Sequence, residues 1–269
     1  MIRRTLAATQ AATFSILLPN AQKQGMPTAT GTGFFLSPDG WFMTAAHVVT
    51  EDGQSNGVVR KDIDSSWLMK ETRIPGGPQG AMCQFISFEH IIPEMDVALL
   101  KVDFAQNSNK EWLKGKTAFP FLQVSSRDLE EGESVYAFGY PLPETTVHAG
   151  AGMHVGTTSL CPRVTSAIVS STFEQGRMMI TGNDPKVYVL DKALNYGNSG
   201  GPIVSVETGN VHALCSRFQP VFVPQPYLTD KQGGQIPVMI PSLYGIVSAL
   251  HHDVLLQLLQ KIGVPITES

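Results

Sequence analysis

The sequence has few of the residues that would tie it to a disulfide framework, a metal ion or a membrane. Its 269 residues include only three cysteines, Cys83, Cys161 and Cys215, which are far apart and belong to no CxxC or Cys/His cluster. We therefore expect no metal site and no cofactor. No apolar run approaches the roughly 18 residues of a membrane-spanning helix, so no membrane partner is expected.

The chain also has no large excess of charge of either sign. The chain carries 19 basic and 23 acidic residues, a formal net charge of −4, and no basic run longer than that at Ile2-Arg3-Arg4. Such a balance offers no general attraction for nucleic acid or anionic lipid. The few cysteines suit a reducing compartment, so we expect a cytoplasmic protein, with the periplasm as the alternative.

The N-terminal residues could open a signal peptide, but polar side chains at Thr9, Gln10, Thr13 and Ser15 interrupt the apolar core that such a peptide needs. We interpret this region as part of the mature fold, with a short helix over residues 3–12.

Turn-forming residues are abundant. The 25 glycines and 18 prolines are scattered between short β-rich segments, and 42% of the residues are hydrophobic, which predicts an all-β protein with a substantial core. The predicted strands cover residues 13–18, 31–36, 41–44, 82–88, 96–102, 134–141, 163–172, 178–181, 186–190 and 211–218. Apolar spacing predicts an amphipathic helix over 248–262, ended by Gly263.

Four stretches are predicted as connections. Residues 50–80 are polar and indicate surface loops around one or two edge strands, and the polar residues 104–119 are expected to bridge two barrels. The glycine-rich residues 145–158 indicate either a mobile surface loop or a lid near the substrate cleft. The proline-rich residues 220–242 form a long insertion.

One stretch carries the strongest chemical signal. In residues 194–204, LNYGNSGGPIV, glycines surround Ser199 and an apolar run follows. A plain glycine-rich turn between strands would have this composition. It also suits acyl transfer, in which a serine nucleophile needs a base and backbone donors for the oxyanion, here the N–H groups of Gly197 and Ser199.

Two other stretches carry the partners that such a serine requires. His47 follows a strand, a Pro-Asp-Gly turn and a second strand, and Asp96 stands at the mouth of an apolar run, where a carboxylate would be partly buried and in need of a partner.

Together GTGFFLSPDGWFMTAAHVV, DVALLKV and DKALNYGNSGGPIV resemble the trypsin-like (chymotrypsin-fold) serine peptidases, and within them the HtrA type found in bacteria. The resemblance implies two six-stranded antiparallel β-barrels with a C-terminal α-helix. Residues 1–118 would form the barrel with His and Asp, and residues 119–269 the barrel with Ser. HtrA proteins usually continue into PDZ domains, and we expect none after Ser269.

The resemblance also assigns roles. It makes His47 the general base, Asp96 its orienting carboxylate and Ser199 the nucleophile, with an oxyanion hole at residues Gly197, Asn198 and Ser199. The implied function is a serine endopeptidase that hydrolyses proteins through an acyl-enzyme. An inactive domain that binds peptides or scaffolds a complex is the alternative, and an active enzyme gated by a regulatory protein partner is a third reading.

Secreted trypsins place an aspartate just before the serine, whose charge pairs with a newly cut N-terminus. Asn198 stands there and cannot form that ion pair, so we expect no activation by N-terminal cleavage.

Ala193 stands where trypsin has the acidic residue that binds basic P1 side chains. We therefore expect a small or medium apolar P1 residue, with Leu194, Cys215, Ser216 and Arg217 as further substrate contacts. A shift in register would instead bring Asp191 to the pocket and restore its acidity.

Overall fold

The structure is a computed structural model that describes residues 2–20, 26–74, 77–84, 87–103, 115–141, 144–150, 153–174, 185–218, 221–229, 231–240 and 244–268. Its α-helices are α1 (Ile2–Ala12) and α2 (Asp253–Lys261). Its strands are β1 (Thr13–Asn20), β2 (Met26–Phe35), β3 (Trp41–Ala45), β4 (Trp67–Ile74), β5 (Gly77–Gln84), β6 (Ser87–Ile92), β7 (Val97–Lys101), β8 (Val124–Ser125), β9 (Ser134–Gly139), β10 (Glu144–Gly150), β11 (Met153–Ser159), β12 (Arg163–Glu174), β13 (Lys186–Leu190), β14 (Pro202–Ser205), β15 (Val211–Phe218), β16 (Val221–Thr229), β17 (Gln235–Ile240), β18 (Gly245–Ala249) and β19 (Ile266–Thr267). The all-β fold is confirmed.

The first sheet is antiparallel and has seven strands in the order β5-β4-β1-β2-β3-β7-β6. Six were expected. The extra strand arises because the polar stretch 50–80 supplies β4 and the first half of β5, which form a hairpin on the outer side of β1. The strand predicted over 82–88 is wrong as a single element, because β5 ends at Gln84 and β6 begins at Ser87.

The second sheet contains a closed barrel of six strands, since β9, β12, β13, β18, β15 and β14 pair in a ring that the β14–β15 pairing completes. Two short strands, β8 and β19, extend it beside β15. Closure leaves no edge among the six and fixes the loops between them, including the loop that leads into β14.

Aromatic side chains tie the strands of the first sheet together. The Phe35 ring lies 5.6 Å from Phe14 and 5.0 Å from Phe42 in edge-to-face contacts, and stacks at 4.4 Å on Phe119. This cluster continues into the second sheet through buried Val204 and other side chains. The strands that carry the site therefore stand on one continuous apolar core.

Both helices pack on the sheets. α1 confirms the helix predicted over 3–12. α2 is shorter than the predicted 248–262, because Ser248 pairs in β18 with Leu214 of the neighbouring strand and the helix begins only after His252. Leu255 and Leu259 are the fully buried positions of its apolar face. Within the described ranges, no helix is long and apolar enough to cross a membrane.

Two predicted connections contain regular structure. Residues 145–158 are not a glycine-rich loop, because β10 and β11 pair as a hairpin across them. The insertion 220–242 contains the hairpin β16–β17. The strand predicted over 178–181 lies outside the described residues. The division at residue 118 lies between β7 of the first sheet and β8 of the second, and it stays a prediction.

Candidate active site

His47 stands at the end of β3, where a single 3₁₀ turn, Ala46–Val48, follows the strand. β3 runs antiparallel to β7, so the end of one meets the start of the other, with Ala45 opposite Val97. The backbone N–H of Ala46 donates to the carbonyl of Asp96 at 2.9 Å. Strand pairing alone thus brings residue 96 to residue 47.

Asp96 is the only non-glycine residue with positive φ in the described part of the chain, with φ 54° and ψ 41°. Its carboxylate is 1% exposed. Oδ2 accepts from His47 Nδ1 at 2.8 Å and from the Ser216 hydroxyl at 2.6 Å, while Oδ1 accepts from the His47 backbone N–H at 3.0 Å. These three bonds compensate the burial of the charge.

The carboxylate also fixes the proton of the imidazole. An ionised carboxylate can only accept, so Nδ1 of His47 carries the proton in the neutral ring and Nε2 is left with its lone pair. The arrangement therefore presents a base at Nε2.

The Ser199 loop leads from β13 to β14 and is held by backbone hydrogen bonds. Gly201 N–H donates to the Asn198 carbonyl at 2.7 Å, and Gly200 N–H donates to the Cys215 carbonyl at 2.6 Å. Thr32 N–H, from the first sheet, donates to the Ser199 carbonyl at 2.8 Å. Gly197 and Gly200 have φ of 92° and 82°, which side chains rarely adopt.

Two N–H groups close to the Ser199 hydroxyl have no backbone acceptor in the described part of the chain. Among the described residues, neither Gly197 N–H nor Ser199 N–H has a backbone acceptor, whereas Asn198 N–H donates to the Asn195 carbonyl at 3.1 Å. Asn198 itself is buried, and its side-chain oxygen lies against Gly139. The predicted hole thus contains two available donors, with the N–H of Asn198 already engaged.

A cavity of about 790 Å³ gathers most of the predicted residues. Its walls include His47, Asp96, Leu194, Gly197, Asn198, Ser199, Cys215 and Ser216. Within the described contacts, no hydrogen bond joins the Ser199 hydroxyl to His47. The structure therefore brings the serine and the His–Asp pair to one cavity without linking them directly.

The predicted pocket residues are only partly found there. Ala193 is described but does not line the cavity. Arg217 lies on β15 after a break in register at Cys215, and its side chain lies outside the described part. Burial raises the pKa of the Cys215 thiol well above its usual range, so Cys215 forms a neutral wall.

Sequence reasoning missed several features of the site. Ser216, predicted as a substrate contact, lines the cavity, but the hydrogen bond from its hydroxyl to Asp96 was not foreseen. Tyr196 lines the cavity and is 66% exposed, and its place beside Gly197 was the available signal. The rest of the cavity lining comes from residues for which the sequence carries no such signal: Ala29, Thr30, Gly53, Gln54 and Ser55.

Two antiparallel β-sheets with a His–Asp pair and a glycine-framed serine between them define the class of trypsin-like serine proteases. A family model described as the trypsin-like peptidase domain matches residues 31–214, and the chain belongs to that family.

The relatives found are of the HtrA type. Serine protease HTRA1 of Xenopus tropicalis is 31% identical over 187 residues, which cover 69% of this chain and 31% of that protein. Serine protease HTRA4 of Mus musculus is 28% identical over 186 residues, 68% of this chain and 29% of that protein. The chain thus spans about a third of the length of the curated relatives it matches.

Solved structures show the same fold. The HtrA-type protease AlgW with decapeptide matches with a TM-score of 0.56 at 17% identity, over 97% of this chain and 67% of that chain. AlgW with tripeptide matches with a TM-score of 0.53 at 19% identity, over 97% and 63%. At this identity the likeness concerns the fold alone.

Proposed function

We propose that this protein is a serine endopeptidase that uses Ser199 as nucleophile, His47 as general base and Asp96 as the group that orients the base. One observation carries the proposal: three segments from two sheets bring these residues to a single cavity. A glycine-rich turn with no chemical role would not need a buried, triply hydrogen-bonded carboxylate beside it.

The reaction follows from the positions of the protons. Ser199 Oγ attacks the peptide carbonyl carbon while His47 Nε2 takes the hydroxyl proton, and Asp96 stabilises the imidazolium. The C–N bond then breaks as His47 returns the proton to the leaving amine. Water, deprotonated by the same histidine, then attacks the acyl carbon, and the bond to Ser199 Oγ breaks as His47 returns the proton to the serine. No hydrogen bond between the Ser199 hydroxyl and His47 is described, and this is consistent with the reaction above, because hydrogen bonds between catalytic groups commonly tighten only when substrate binds.

The oxyanion would be met by the N–H groups of Gly197 and Ser199. We leave the Asn198 N–H out of the hole, since it donates to Asn195, and assign Asn198 to the support of the turn. Two preorganised backbone donors beside a nucleophile are typical of acyl-transfer sites.

The substrate we propose is a peptide segment with a small or medium apolar P1 side chain. Leu194 and the neutral Cys215 supply apolar surface to the cavity. Asp191 does not line it, and its carboxylate accepts from the Ile168 N–H at 2.8 Å, so the acid that would favour a basic P1 residue is engaged elsewhere. One methylene more or less changes such discrimination by about 1–3 kcal/mol.

A fluorophosphonate probe and cleavage of casein test the proposal together. We expect the wild type to be labelled and to cleave, Ser199→Ala to do neither, and Ser170→Ala, which changes an exposed serine on β12, to behave as wild type. Folded wild type that takes no label contradicts the proposal and favours the alternative of an inactive peptide-binding module.

We also propose that a protein partner raises the activity, with the open Ser199–His47 contact as its support. Weak cleavage by the chain alone that rises on addition of a partner would agree with this. Rapid unassisted cleavage of casein would contradict gating while leaving the peptidase proposal intact.

A further inference from the structure

Thr32 makes four hydrogen bonds around the nucleophile loop although it belongs to the other sheet. Its hydroxyl donates to the Gly197 carbonyl at 2.6 Å and accepts from the Tyr140 N–H at 3.1 Å. Its backbone N–H donates to the Ser199 carbonyl at 2.8 Å, and its carbonyl accepts from the Thr44 hydroxyl at 2.7 Å. The side chain is fully buried.

The planar trans peptide makes these contacts consequential for the oxyanion hole. In each peptide unit the C=O and the following N–H point in opposite directions, so fixing one fixes the other. The Thr32 hydroxyl holds the Gly197 carbonyl, and the N–H of the same unit, that of Asn198, then meets Asn195. The Thr32 backbone holds the unit that begins with the Ser199 carbonyl.

The unit between these two carries the Ser199 N–H. Its carbonyl, that of Asn198, accepts from Gly201 at 2.7 Å, so its N–H faces the other way. Thr32 therefore holds the two peptide units on either side of the unit that supplies the Ser199 N–H. The unit held by its hydroxyl also comes directly after the unit that carries the Gly197 N–H. Rotation of the clamped Gly197 carbonyl would misdirect both donors.

The Ser199 loop packs against β2 and the end of β9 so closely that two of its contacts leave no room for a Cβ atom. A Cβ built on Gly200 would lie 2.2 Å from the Thr32 carbonyl oxygen, and one built on Gly139 would lie 2.5 Å from the Asn198 side-chain oxygen and 3.2 Å from the Thr32 hydroxyl. The loop, the end of β9 and β2 thus meet in backbone contact at Thr32.

We propose that Thr32 is a positioning residue for the oxyanion hole, acting through its hydroxyl, which holds the Gly197 peptide. The inference rests on the proposed peptidase function. The site requires a short side chain that donates once and accepts once, which Ser and Thr supply and Val does not. With Val, the Gly197 carbonyl and the Tyr140 N–H would lose a buried partner.

The test compares Thr32→Val with Thr32→Ser, which keeps the hydroxyl. For cleavage of a peptide substrate we expect kcat of the Val variant to fall about 100-fold with KM nearly unchanged, since a small misplacement of catalytic groups costs about this factor. We expect the Ser variant to remain within about threefold of wild type, as it restores the hydrogen bond.

A peptide aldehyde provides a second readout that a merely structural role would not move. Ser199 Oγ adds to the aldehyde carbon, its proton passes to His47 Nε2, and the new tetrahedral oxyanion occupies the hole. The affinity of the Val variant for the aldehyde should fall by the same factor as its kcat, while its affinity for the matching peptide product stays unchanged.

The outcomes separate the two proposals. An inactive, probe-resistant wild type overturns the peptidase function itself. An active wild type with an equally active Val variant overturns only the role of Thr32. Failure of the Ser variant to restore activity, or equal losses in product and aldehyde affinity, also overturns it. If the Val variant does not fold, Thr32→Ala is judged by the same two affinities.

Discussion

At the scale of single residues, the backbone of Asp96 decides what its side chain does. Asp and Asn adopt the left-handed conformation at low cost compared with other non-glycine residues. Residue 96 has this conformation, and its carboxylate accepts from both the backbone N–H and Nδ1 of His47, in the 3₁₀ turn Ala46–Val48. A single dihedral angle thus makes an acid at a strand entrance the partner of a base.

Asp96→Asn should keep the fold and lose the activity. The amide oxygen would continue to accept from the His47 N–H, which places the NH₂ group against Nδ1. That nitrogen must then accept, so the proton moves to Nε2 and the ring no longer serves as a base. Steady-state kinetics on a peptide substrate should show kcat reduced by about 10⁴-fold.

The matched control is Asp39→Asn, which removes a charge paired with Lys101 on a half-exposed turn of the same sheet. Asp39→Asn should leave kcat within about twofold of wild type, because a surface ion pair contributes little free energy. An Asp96→Asn variant with more than a tenth of the wild-type kcat would refute the assigned tautomer.

At the scale of elements, α1 joins the two sheets through buried polar contacts. The hydroxyl of Tyr136, a fully buried side chain on β9, donates to the Thr5 hydroxyl at 3.0 Å and lies 2.9 Å from the Thr9 hydroxyl. The Lys70 ammonium donates to the Ala11 carbonyl at 2.9 Å from the first sheet. The helix therefore contacts both sheets with specific hydrogen bonds.

Tyr136→Phe and Thr9→Val should each lower the free energy of unfolding by roughly 0.5–1.5 kcal/mol, because each removes the hydrogen bond between these two hydroxyl groups while the remaining hydroxyl keeps its contact with Thr5. Since the two side chains share one interaction, the double variant should lose less than the sum of the single losses. Urea denaturation of the four proteins measures this coupling. Fully additive losses would show that the contact does not link α1 to β9.

At the scale of the whole molecule, a polar cluster that includes the buried side chains of His212 and Tyr188 joins four parts of the second sheet. His212 on β15 is 1% exposed, and its Nδ1 lies 2.9 Å from the Arg127 carbonyl. Its Nε2 is buried without a hydrogen-bond partner among the described groups. Nearby, Asp128 binds Lys186 and Tyr188 of β13 and lies 3.2 Å from His251.

These environments shift two pKa values in the same direction. Burial lowers the pKa of His212, and the positive charge of Arg127 adds to this while Glu133 and Asp128 oppose it. Burial acts to raise the pKa of Asp128, but the hydrogen bonds from Lys186 and Tyr188 outweigh it and hold the pKa below its usual value. Both groups therefore favour folding in the deprotonated form.

Stability should consequently fall on acidification, starting near the unfolded pKa of histidine. Below about pH 6.5 the unfolded chain binds a proton that the buried His212 resists, so the free energy of unfolding decreases with a slope of at most about 1.4 kcal/mol per pH unit from this residue. Asp128 contributes only when the pH falls below about 4.

His212→Asn tests this assignment, because asparagine can still donate to the Arg127 carbonyl but does not titrate. Urea denaturation between pH 8 and pH 5 should show a flatter profile for this variant than for wild type. His251→Gln, a change at the half-exposed neighbour, should keep the fall. An unchanged slope in His212→Asn would mean that another group controls the acid response.

The sequence by itself determined the all-β class, the positions of most central strands, the trypsin-like family and the candidates for the proposed triad. These are local signals: short apolar runs on both sides of a Pro-Asp-Gly turn, an acid before an apolar run, and glycines around a serine. Each depends on residues that are neighbours in the chain, so spacing is enough to identify them.

Only the tertiary structure decided which groups meet across the chain. In the structure the Ser216 hydroxyl donates to Asp96, and the Thr32 hydroxyl donates to the Ser199 loop. Residues 145–158 pair as a hairpin, and Ser248 belongs to β18 rather than to the predicted helix. These outcomes depend on hydrogen-bond partners and packing neighbours that are remote in sequence. Local preference is too weak to fix them, because burial and strand pairing outweigh it.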